Sequence, residues 1–522
     1  MKKSVPIKRS VGEVLCGAYL CLLGVALPLA VHELYYDITR TKATVFWVLS
    51  GALVLGALLW LILDDVARRG LARPNTAEIL FTVFAVMPIL SSVLFRPFGA
   101  SLLGADNRFQ GVVSFALYAL SFALLRRYGR WDGLVCYALL LGSVTACALA
   151  TAEVFGLDLL GLRGASPAIE LPRFFSTVGN ISFLSALCVL LLPLCAFLAL
   201  EADSPGRTLL YTICALGFLC CGIAMRTETF VLGALAFFVL TPLFVREARV
   251  LRRLPLFYAL SALAALLFAL AMKRLALYRL SELSAVFCSP RLLLPAAALL
   301  FGLWLVLRKR GDLAVVKLRK VYIILFLLLF AAGCAFLALA NTLWADRLGG
   351  TLGKVAVFSP AWGSDRGTVW MSFWGMFREA SPLQKLIGCG VGSLAEWDRA
   401  HRLFGDAVTD SAHNEYLHYL LTGGLIGLGC YVGVLFLAIR SAWRRPSRER
   451  IAVSLAVSCY AVQALVNIAQ PFTTPLFFAL VALLCSPDAF TPGADREKSF
   501  FVPVALAVLA AGLLVAAAAT AR

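Results

Sequence analysis

Charged residues are scarce in this sequence. Asp, Glu, Lys and Arg make up only 15% of the 522 residues, whereas 61% are hydrophobic and the mean hydropathy is +0.88. Soluble domains carry about a quarter charged residues, so the composition excludes a soluble enzyme and indicates a polytopic membrane protein. Acidic residues are fewer than basic ones, which leaves a net charge of +18. The basic residues are not gathered on one soluble face, so no nucleic-acid partner is expected.

Motifs typical of metal and phosphate sites are also missing. The sequence has no Gly-rich loop of the GxxxxGKS kind, no DxD, HExxH or CxxC spacing, and only four histidines. Metal and nucleotide sites need such clustered ligands, so we expect neither a metal nor another cofactor. All of the 15 cysteines except Cys288 and Cys389 lie inside apolar runs, which excludes a disulfide framework.

Long apolar runs separated by charged breaks fill most of the chain. A helix needs about 20 apolar residues to cross a bilayer, and on that scale the sequence predicts about fourteen or fifteen transmembrane helices. The predicted fold is therefore an all-α, polytopic integral membrane helix bundle. The predicted spans are 11–31, 43–63, 77–95, 110–125, 134–152, 181–200, 208–225, 229–245, 254–272, 291–307, 321–341, 416–439, 451–469, 471–485 and 500–520.

The distribution of basic residues predicts which way these spans run. Lys and Arg are concentrated near the N-terminus and in short loops such as 308–320 and 440–450, whereas the loops on the other side are longer. Short loops rich in Lys and Arg stay in the cytoplasm, so the N-terminus is predicted to be cytoplasmic. The first apolar run is long enough to span, and we interpret it as a retained helix rather than a signal peptide.

One predicted extracytoplasmic loop is much longer than a helix bundle requires. Residues 342–415, called the large loop below, divide the chain into N-terminal transmembrane helices at 1–341 and C-terminal ones at 416–522. Connections longer than about 15 residues usually carry function or structure of their own. The large loop is therefore the part of the chain in which we expect a site and short helices.

Aromatic residues recur at helical spacing within the large loop, at Trp370, Phe373, Trp374 and Phe377. Such a pattern fits an amphipathic helix that lies in the membrane interface. It fits a helix folded onto the bundle equally well. The sequence leaves both alternatives open.

His413 stands where the large loop re-enters the membrane. From this residue the sequence reads His-Asn, nine residues, Gly424, two residues and Gly427. An imidazole can take a proton from a hydroxyl near neutral pH, so His413 is a candidate general base, with a helix-capping role as the alternative. The glycine-rich span that follows permits close helix packing beside such a site.

Arg226 occupies a hairpin of a few residues between two apolar helices, close to the low-dielectric boundary. A charge there is costly unless it is used or paired, so Arg226 is a candidate anion ligand. The alternatives are pairing with its neighbour Glu228 and simple snorkelling toward water. Arginine suits phosphate because it stays charged and binds in a bidentate way. Arg173 and Arg366 lie on the same predicted side of the membrane.

Together these segments resemble the O-antigen ligase and polymerase superfamily of bacterial envelope proteins. The resemblance depends on the order and common membrane side of short motifs, across roughly residues 80 to 485, and departs from ligases at Leu428 and Gly429, where ligases carry a threonine pair. Besides the His413 motif it includes GADNRFQG at 104–111, RFFSTVGNISF at 173–183, SDRGTVW at 364–370, PLQKLIGCGVGSL at 382–394 and VNIAQPFTTPLFFALVALL near the C-terminus.

The resemblance implies a GT-C-like fold and the transfer of a glycan from an undecaprenyl-diphosphate-linked oligosaccharide donor. The acceptor would be a hydroxyl of a glycan or a lipid, at the outer face of the bacterial cytoplasmic membrane, in a metal-independent inverting reaction. Membrane lipid and envelope-glycan assembly proteins would be the other partners. Polymerase and ligase activities are not distinguished, because the acceptor leaves no readable motif.

The resemblance also implies roles for individual residues. His413, Arg226 and Arg366 would be catalytic, the histidine as base and the arginines at the diphosphate. Four further residues, Arg173, Arg108, Asn414 and Asn180, would bind substrate.

Two alternatives stay open at this point. Glu33 and Asp37 in the first outer loop could serve as the acidic base or metal site of a glycosyltransferase that uses polyprenyl monophosphate sugars. A non-enzymatic flippase or transporter of lipid-linked oligosaccharides is the other alternative. Transporters prefer charges near the bilayer midplane and internal repeats, and the sequence shows neither.

Overall fold

The computed structural model describes residues 10–35, 37–64, 73–96, 98–105, 108–163, 172–405 and 408–491. Within these ranges the protein is all-α, with one two-stranded hairpin, β1 (Phe174–Phe175) and β2 (Gly179–Asn180). The predicted fold class is therefore confirmed. The predicted span at 500–520 lies outside the described residues.

In the described ranges, thirteen helices precede the large loop. They are α1 (Val11–Leu29), α2 (Ile38–Leu63), α3 (Thr76–Phe95), α4 (Phe98–Leu103), α5 (Val112–Tyr128), α6 (Gly133–Val154), α7 (Ile181–Glu201), α8 (Pro205–Ala224), α9 (Glu228–Phe244), α10 (Ala248–Leu275), α11 (Glu282–Phe287), α12 (Pro290–Leu307) and α13 (Asp312–Ala340). The large loop and the C-terminal part contribute α14 (Gly350–Ala356), α15 (Trp362–Glu379), α16 (Pro382–Ile387), α17 (Ser393–His401), α18 (Glu415–Arg444), α19 (Arg448–Gln463) and α20 (Thr473–Cys485).

Ten of these helices are long and apolar enough to cross a membrane, and each coincides with a predicted span. The protein is therefore a multi-pass membrane protein. Four further predicted spans fall on shorter helices, α5, α9, α19 and α20, of 17, 17, 16 and 13 residues. The span predicted at 451–469 was too long, because α19 ends at Gln463 and the chain then turns through a non-helical segment.

Helix α7 forms the centre of the bundle. Every residue from Phe183 to Glu201 is buried, and the helix packs against α8, α9 and α19. A helix that is apolar on all sides is expected inside a bundle rather than at its surface. Helices α12 and α13 lie at the periphery and leave most of their leucines exposed, as expected for helices that face lipid. Because α7 is central, the hairpin of β1 and β2 that leads into it is anchored at the bundle.

Helix α18 is interrupted at Gly424, which adopts φ +70° and ψ −174°. The break frees the carbonyls of Leu421 and Thr422, which accept hydrogen bonds from the backbone N–H groups of Cys389 (2.7 Å) and Gly390 (3.3 Å). Buried carbonyls need such partners. The glycine motif therefore does more than bring helices together, because it joins the large loop to α18 through the main chain.

Gly424→Ala is expected to destabilise the protein strongly. A Cβ atom at this position would overlap with the Leu386 carbonyl and the Gly388 nitrogen, which are backbone atoms and cannot rotate away. This overlap and the strain of the positive φ should together lower the free energy of unfolding by about 3 kcal/mol or more. The measurement is the apparent unfolding temperature of the full chain in detergent.

Gly429→Ala is the matched control on the same helix. An added Cβ at Gly429 meets no neighbour within 4 Å, so this change should be neutral or slightly stabilising. Equal unfolding temperatures for the two variants would contradict the role assigned to the break.

Candidate functional site

A polar cavity of about 700 Å³ opens where four connections between helices meet. These connections follow α6, α8, α10 and α13, and they are the ones that the sequence predicts to be extracytoplasmic. We call this space the site cavity. Its lining includes Arg173, Ser182, Arg226, Thr227, Glu228, Thr229, Ser281, Ser364, Asp365, Arg366, Thr409 and His413. The structure therefore brings together the three residues that the sequence predicts as catalytic, and Arg173 with them.

His413 is held in a left-handed backbone conformation, with φ +48°, at the end of the segment that leads into α18. Its N–H donates to Ser411 Oγ at 3.3 Å. Burial, and after it the positive charges of Arg108 and Arg366, lower the pKa of the imidazole to about 4, against a smaller opposing effect of Asp410. The ring is thus neutral near pH 7. Its nitrogens make no hydrogen bond to the residues that the structure describes, so the nitrogen without a hydrogen is free to accept a proton.

Arg226 also has a positive φ, +58°, in the tight turn between α8 and α9. Its guanidinium lies over the ring of Tyr278, 4.7 Å from the centroid, and one of its nitrogens donates to the carbonyl of Pro172. Burial lowers the pKa of this arginine. Its Nε is buried and has no hydrogen-bond partner within the described ranges. The alternative of pairing with Glu228 is not what the structure shows.

Arg366 is the partner of Glu228 instead, with Nη1 3.8 Å from its carboxylate. Three successive residues in the left-handed region, at 363–365, precede it at the start of α15. They let Nη1 donate to the carbonyl of Gly363 at 2.7 Å. Burial lowers the pKa of Arg366, partly offset by Glu228. Its Nε is also buried without a partner in the described part of the chain.

Sequence reasoning missed Arg163, which packs on the same two aromatic rings as Arg226. The guanidinium of Arg163 lies 4.5 Å from the ring centroid of Phe175, and it donates to the Tyr278 hydroxyl at 2.5 Å and to the Phe174 carbonyl at 2.9 Å. Arg163 and Arg226 therefore share the same two aromatic rings. No sequence signal marks this arrangement, because the β-hairpin and the end of α10 are far apart along the chain.

Three predicted substrate-binding residues do not line the site cavity. Arg108 is engaged by the carboxylate of Asp410 through two of its nitrogens, at 2.8 to 3.0 Å. Asn180 and Asn414 accept hydrogen bonds from Ser182 N and Leu417 N, and so cap α7 and α18. N-caps of this kind stabilise helix starts by about 1 kcal/mol. A direct contact of these residues with substrate stays a prediction.

The aromatic residues of α15 are divided between two faces. Phe373 is fully buried with Val369 and Met376 in a small core of the large loop, and Trp370 donates to the carbonyl of Ala412 at 2.9 Å. Trp374 is half exposed on the opposite face. The first face supports a helix folded onto its neighbours, and the second leaves the interfacial alternative open for Trp374. In either case α15 connects the site cavity to the segment before His413.

Among the residues that the structure describes, two groups of side chains could offer ligands to a metal. The donor atoms of His32, Glu33 and Asp37 lie within 4.8 Å of one another in the first outer loop, and the sulfur atoms of three buried cysteines, Cys147, Cys188 and Cys221, do so inside the bundle. His32 also lies 3.6 Å from Asp37, which contacts Arg40. Neither group lines the site cavity. The expected metal independence stays a prediction.

The apolar helices define the class, a multi-pass membrane protein, and its site cavity is lined by three arginines and a histidine. Residues 289–432 match the O-antigen ligase domain model, which confirms the resemblance seen in the sequence. The match includes Arg366 and His413. No curated protein matches the chain. The domain indicates a glycan-transfer role in the assembly of envelope polysaccharide.

Proposed function

We propose that the protein transfers a glycan from an undecaprenyl-diphosphate-linked donor to an acceptor hydroxyl at the outer face of the bacterial cytoplasmic membrane. The observation that carries this proposal is the convergence of a neutral imidazole and three arginines on the site cavity. Two of those arginines have a buried N–H without a partner among the described residues, which is what a bound anion would satisfy. The N-terminus would be cytoplasmic and the large loop extracytoplasmic.

The chemistry follows from this arrangement. His413 takes the proton of the acceptor hydroxyl, and the oxygen attacks the first carbon of the donor glycan from the face opposite to the carrier. The bond between that carbon and the phosphate oxygen breaks, and its electron pair stays on the diphosphate. Arg226 and Arg366 stabilise the charge that develops there through bidentate contacts. The product is an inverted glycosidic bond and the free lipid diphosphate.

The arginines also affect the base. After burial, the charges of Arg108 and Arg366 are what lower the pKa of His413. An anionic diphosphate bound beside Arg366 would compensate this charge and so raise the pKa of the imidazole toward the working pH, where a general base is most effective. His413 would therefore become a stronger base when the donor is bound.

The direct test uses the purified full-length protein in proteoliposomes with a defined lipid-linked oligosaccharide donor. Candidate acceptors are a second donor molecule, for polymerase activity, and a lipid-linked core glycan, for ligase activity. We expect release of the lipid diphosphate together with a longer product for one of the two. Translocation of the donor across the vesicle without any transfer would instead support the transporter alternative.

Transfer is expected to be the same with and without EDTA. Arginines occupy the place that a divalent ion takes in metal-dependent phosphate chemistry. The cluster of His32, Glu33 and Asp37 is the observation behind the second enzyme candidate, which would need a metal at the first loop. Loss of activity with EDTA, restored by Mg²⁺ or Mn²⁺ and abolished by Asp37→Asn, would establish that alternative.

A further inference from the structure

An ion pair connects the bundle to the segment that carries His413. Arg108 lies in the connection between α4 and α5, and Asp410 lies three residues before the histidine. The Nε of Arg108 donates to both carboxylate oxygens of Asp410, at 2.9 and 3.0 Å, and Nη2 donates to one of them at 2.8 Å. The two side chains are only 20% and 19% exposed. Two guanidinium nitrogens that donate to one carboxylate fix the relative orientation of the two side chains as well as their distance.

The chain between Asp410 and His413 has little freedom to move. Ser411 and Ala412 are buried, the carbonyl of Ala412 accepts from the indole of Trp370, and the hydroxyl of Ser411 accepts from the N–H of His413. On the other side, Asn414 caps α18. A displacement of Asp410 would therefore be passed on to the imidazole.

We propose that Arg108 and Asp410 form a positioning pair, which fixes residues 408–413 against the bundle and sets the electrostatic field at the imidazole of His413. The proposal rests on the proposed function of that histidine as the base. It assigns Arg108 a role through Asp410 and His413 rather than a contact with the donor. Asp410 has no role in the sequence-based hypothesis.

Several other charged groups face the same imidazole and have to stay unchanged in the test. Arg366 is the second arginine that lowers the pKa of His413. The remaining charges that line the site cavity are Arg173, Arg226, Glu228 and Asp365. Glu415 is turned away into the bundle, where it accepts from the hydroxyl of Tyr460 at 2.8 Å.

The two members of the pair act on the imidazole with opposite sign. Arg108 lowers the pKa of His413 and Asp410 raises it. Removal of the arginine should therefore raise this pKa and removal of the carboxylate should lower it. A role confined to holding the segment would instead give the same loss of activity for both variants, with no change in the pH dependence.

The experiment measures kcat/KM against pH for Arg108→Gln, Asp410→Asn and the double variant. The base must be neutral, so activity falls as the pH falls through the pKa of His413. We expect this acid limb to move up by about half a pH unit or more in Arg108→Gln and down in Asp410→Asn. The double variant should lie between them. Arg108→Lys keeps the charge but loses the fork, so its limb should stay near that of the parent while turnover falls.

The ion pair between Arg96 and Glu396 provides a matched control. It also ties the bundle to the large loop, but it does not line the site cavity. Arg96→Gln and Glu396→Gln should leave the acid limb in place. If they displace it as far as the Arg108 and Asp410 variants do, or if the latter two move it in the same direction, the proposal is wrong.

A second readout separates this inference from the proposed function. The chain has only four histidines, so the His413 signal of ¹⁵N-histidine-labelled full-length protein can be assigned by its loss in His413→Asn and titrated without any substrate. If the titration midpoint moves in opposite directions in Arg108→Gln and Asp410→Asn but the protein transfers no glycan, the positioning pair is upheld and the proposed function is overturned. Unmoved midpoints in an active protein would overturn the pair alone.

Discussion

His413→Ala is expected to lower the turnover of glycan transfer by about 10² to 10⁴-fold, the range that a positioned general base contributes. Folding and donor binding should be largely kept, because the arginines that would hold the diphosphate are supplied by other segments. The measurement is kcat with the purified variant, together with donor affinity. Near-normal turnover in a well-folded variant would remove His413 from the mechanism.

Two controls separate the chemistry of His413 from its backbone. The residue has a positive φ, which alanine adopts less readily than asparagine. His413→Asn therefore keeps the backbone more easily while it removes the base, and it should be as inactive as the alanine variant. His401→Ala removes an exposed histidine of the large loop, which stacks on Trp397, and it should be fully active.

Arg226→Lys and Arg366→Lys are each expected to weaken donor binding and slow transfer, and the double variant should be worse than either. We call this pair the arginine clamp, with Arg226 fixed between two helices and Arg366 at the start of α15. Lysine keeps the charge but loses the planar fork. In the structure each guanidinium has a buried Nε without a partner in the described ranges, and a lysine could not offer that donor to a phosphate. The measurements are donor affinity and kcat.

Arg378→Lys is the control for the clamp, since Arg378 lies on the same helix as Arg366 but is exposed and does not line the site cavity. It should behave like the parent. The clamp is wrong if both single lysine variants transfer at the parent rate. A donor-bound structure with either arginine far from the phosphates would contradict it as well, even if His413 is the base.

The pairing of Glu228 shows what sequence reasoning could not resolve. Its neighbour Arg226 was the obvious partner, two residues away, but the left-handed turn at Arg226 directs that guanidinium toward Tyr278, and Arg366 from the large loop contacts the carboxylate instead. The same holds for Arg108, whose predicted contact with substrate competes with a carboxylate from a distant segment. Choices between a near and a distant partner depend on backbone dihedrals that no local pattern encodes.

The sequence by itself determined the membrane class, the all-α fold and most of the spans, because an apolar run of about 20 residues is a local property that the bilayer selects directly. It also marked His413, Arg226 and Arg366 as candidates, through residue chemistry and motif order. Only the tertiary structure decided that these three residues share one cavity. It also decided that Arg163 and Arg226 pack on the same two aromatic rings, and that the break of α18 at Gly424 joins this helix to the large loop. These features arise where segments far apart in the chain meet, and the geometry of such meetings is set by packing in three dimensions rather than by periodicity.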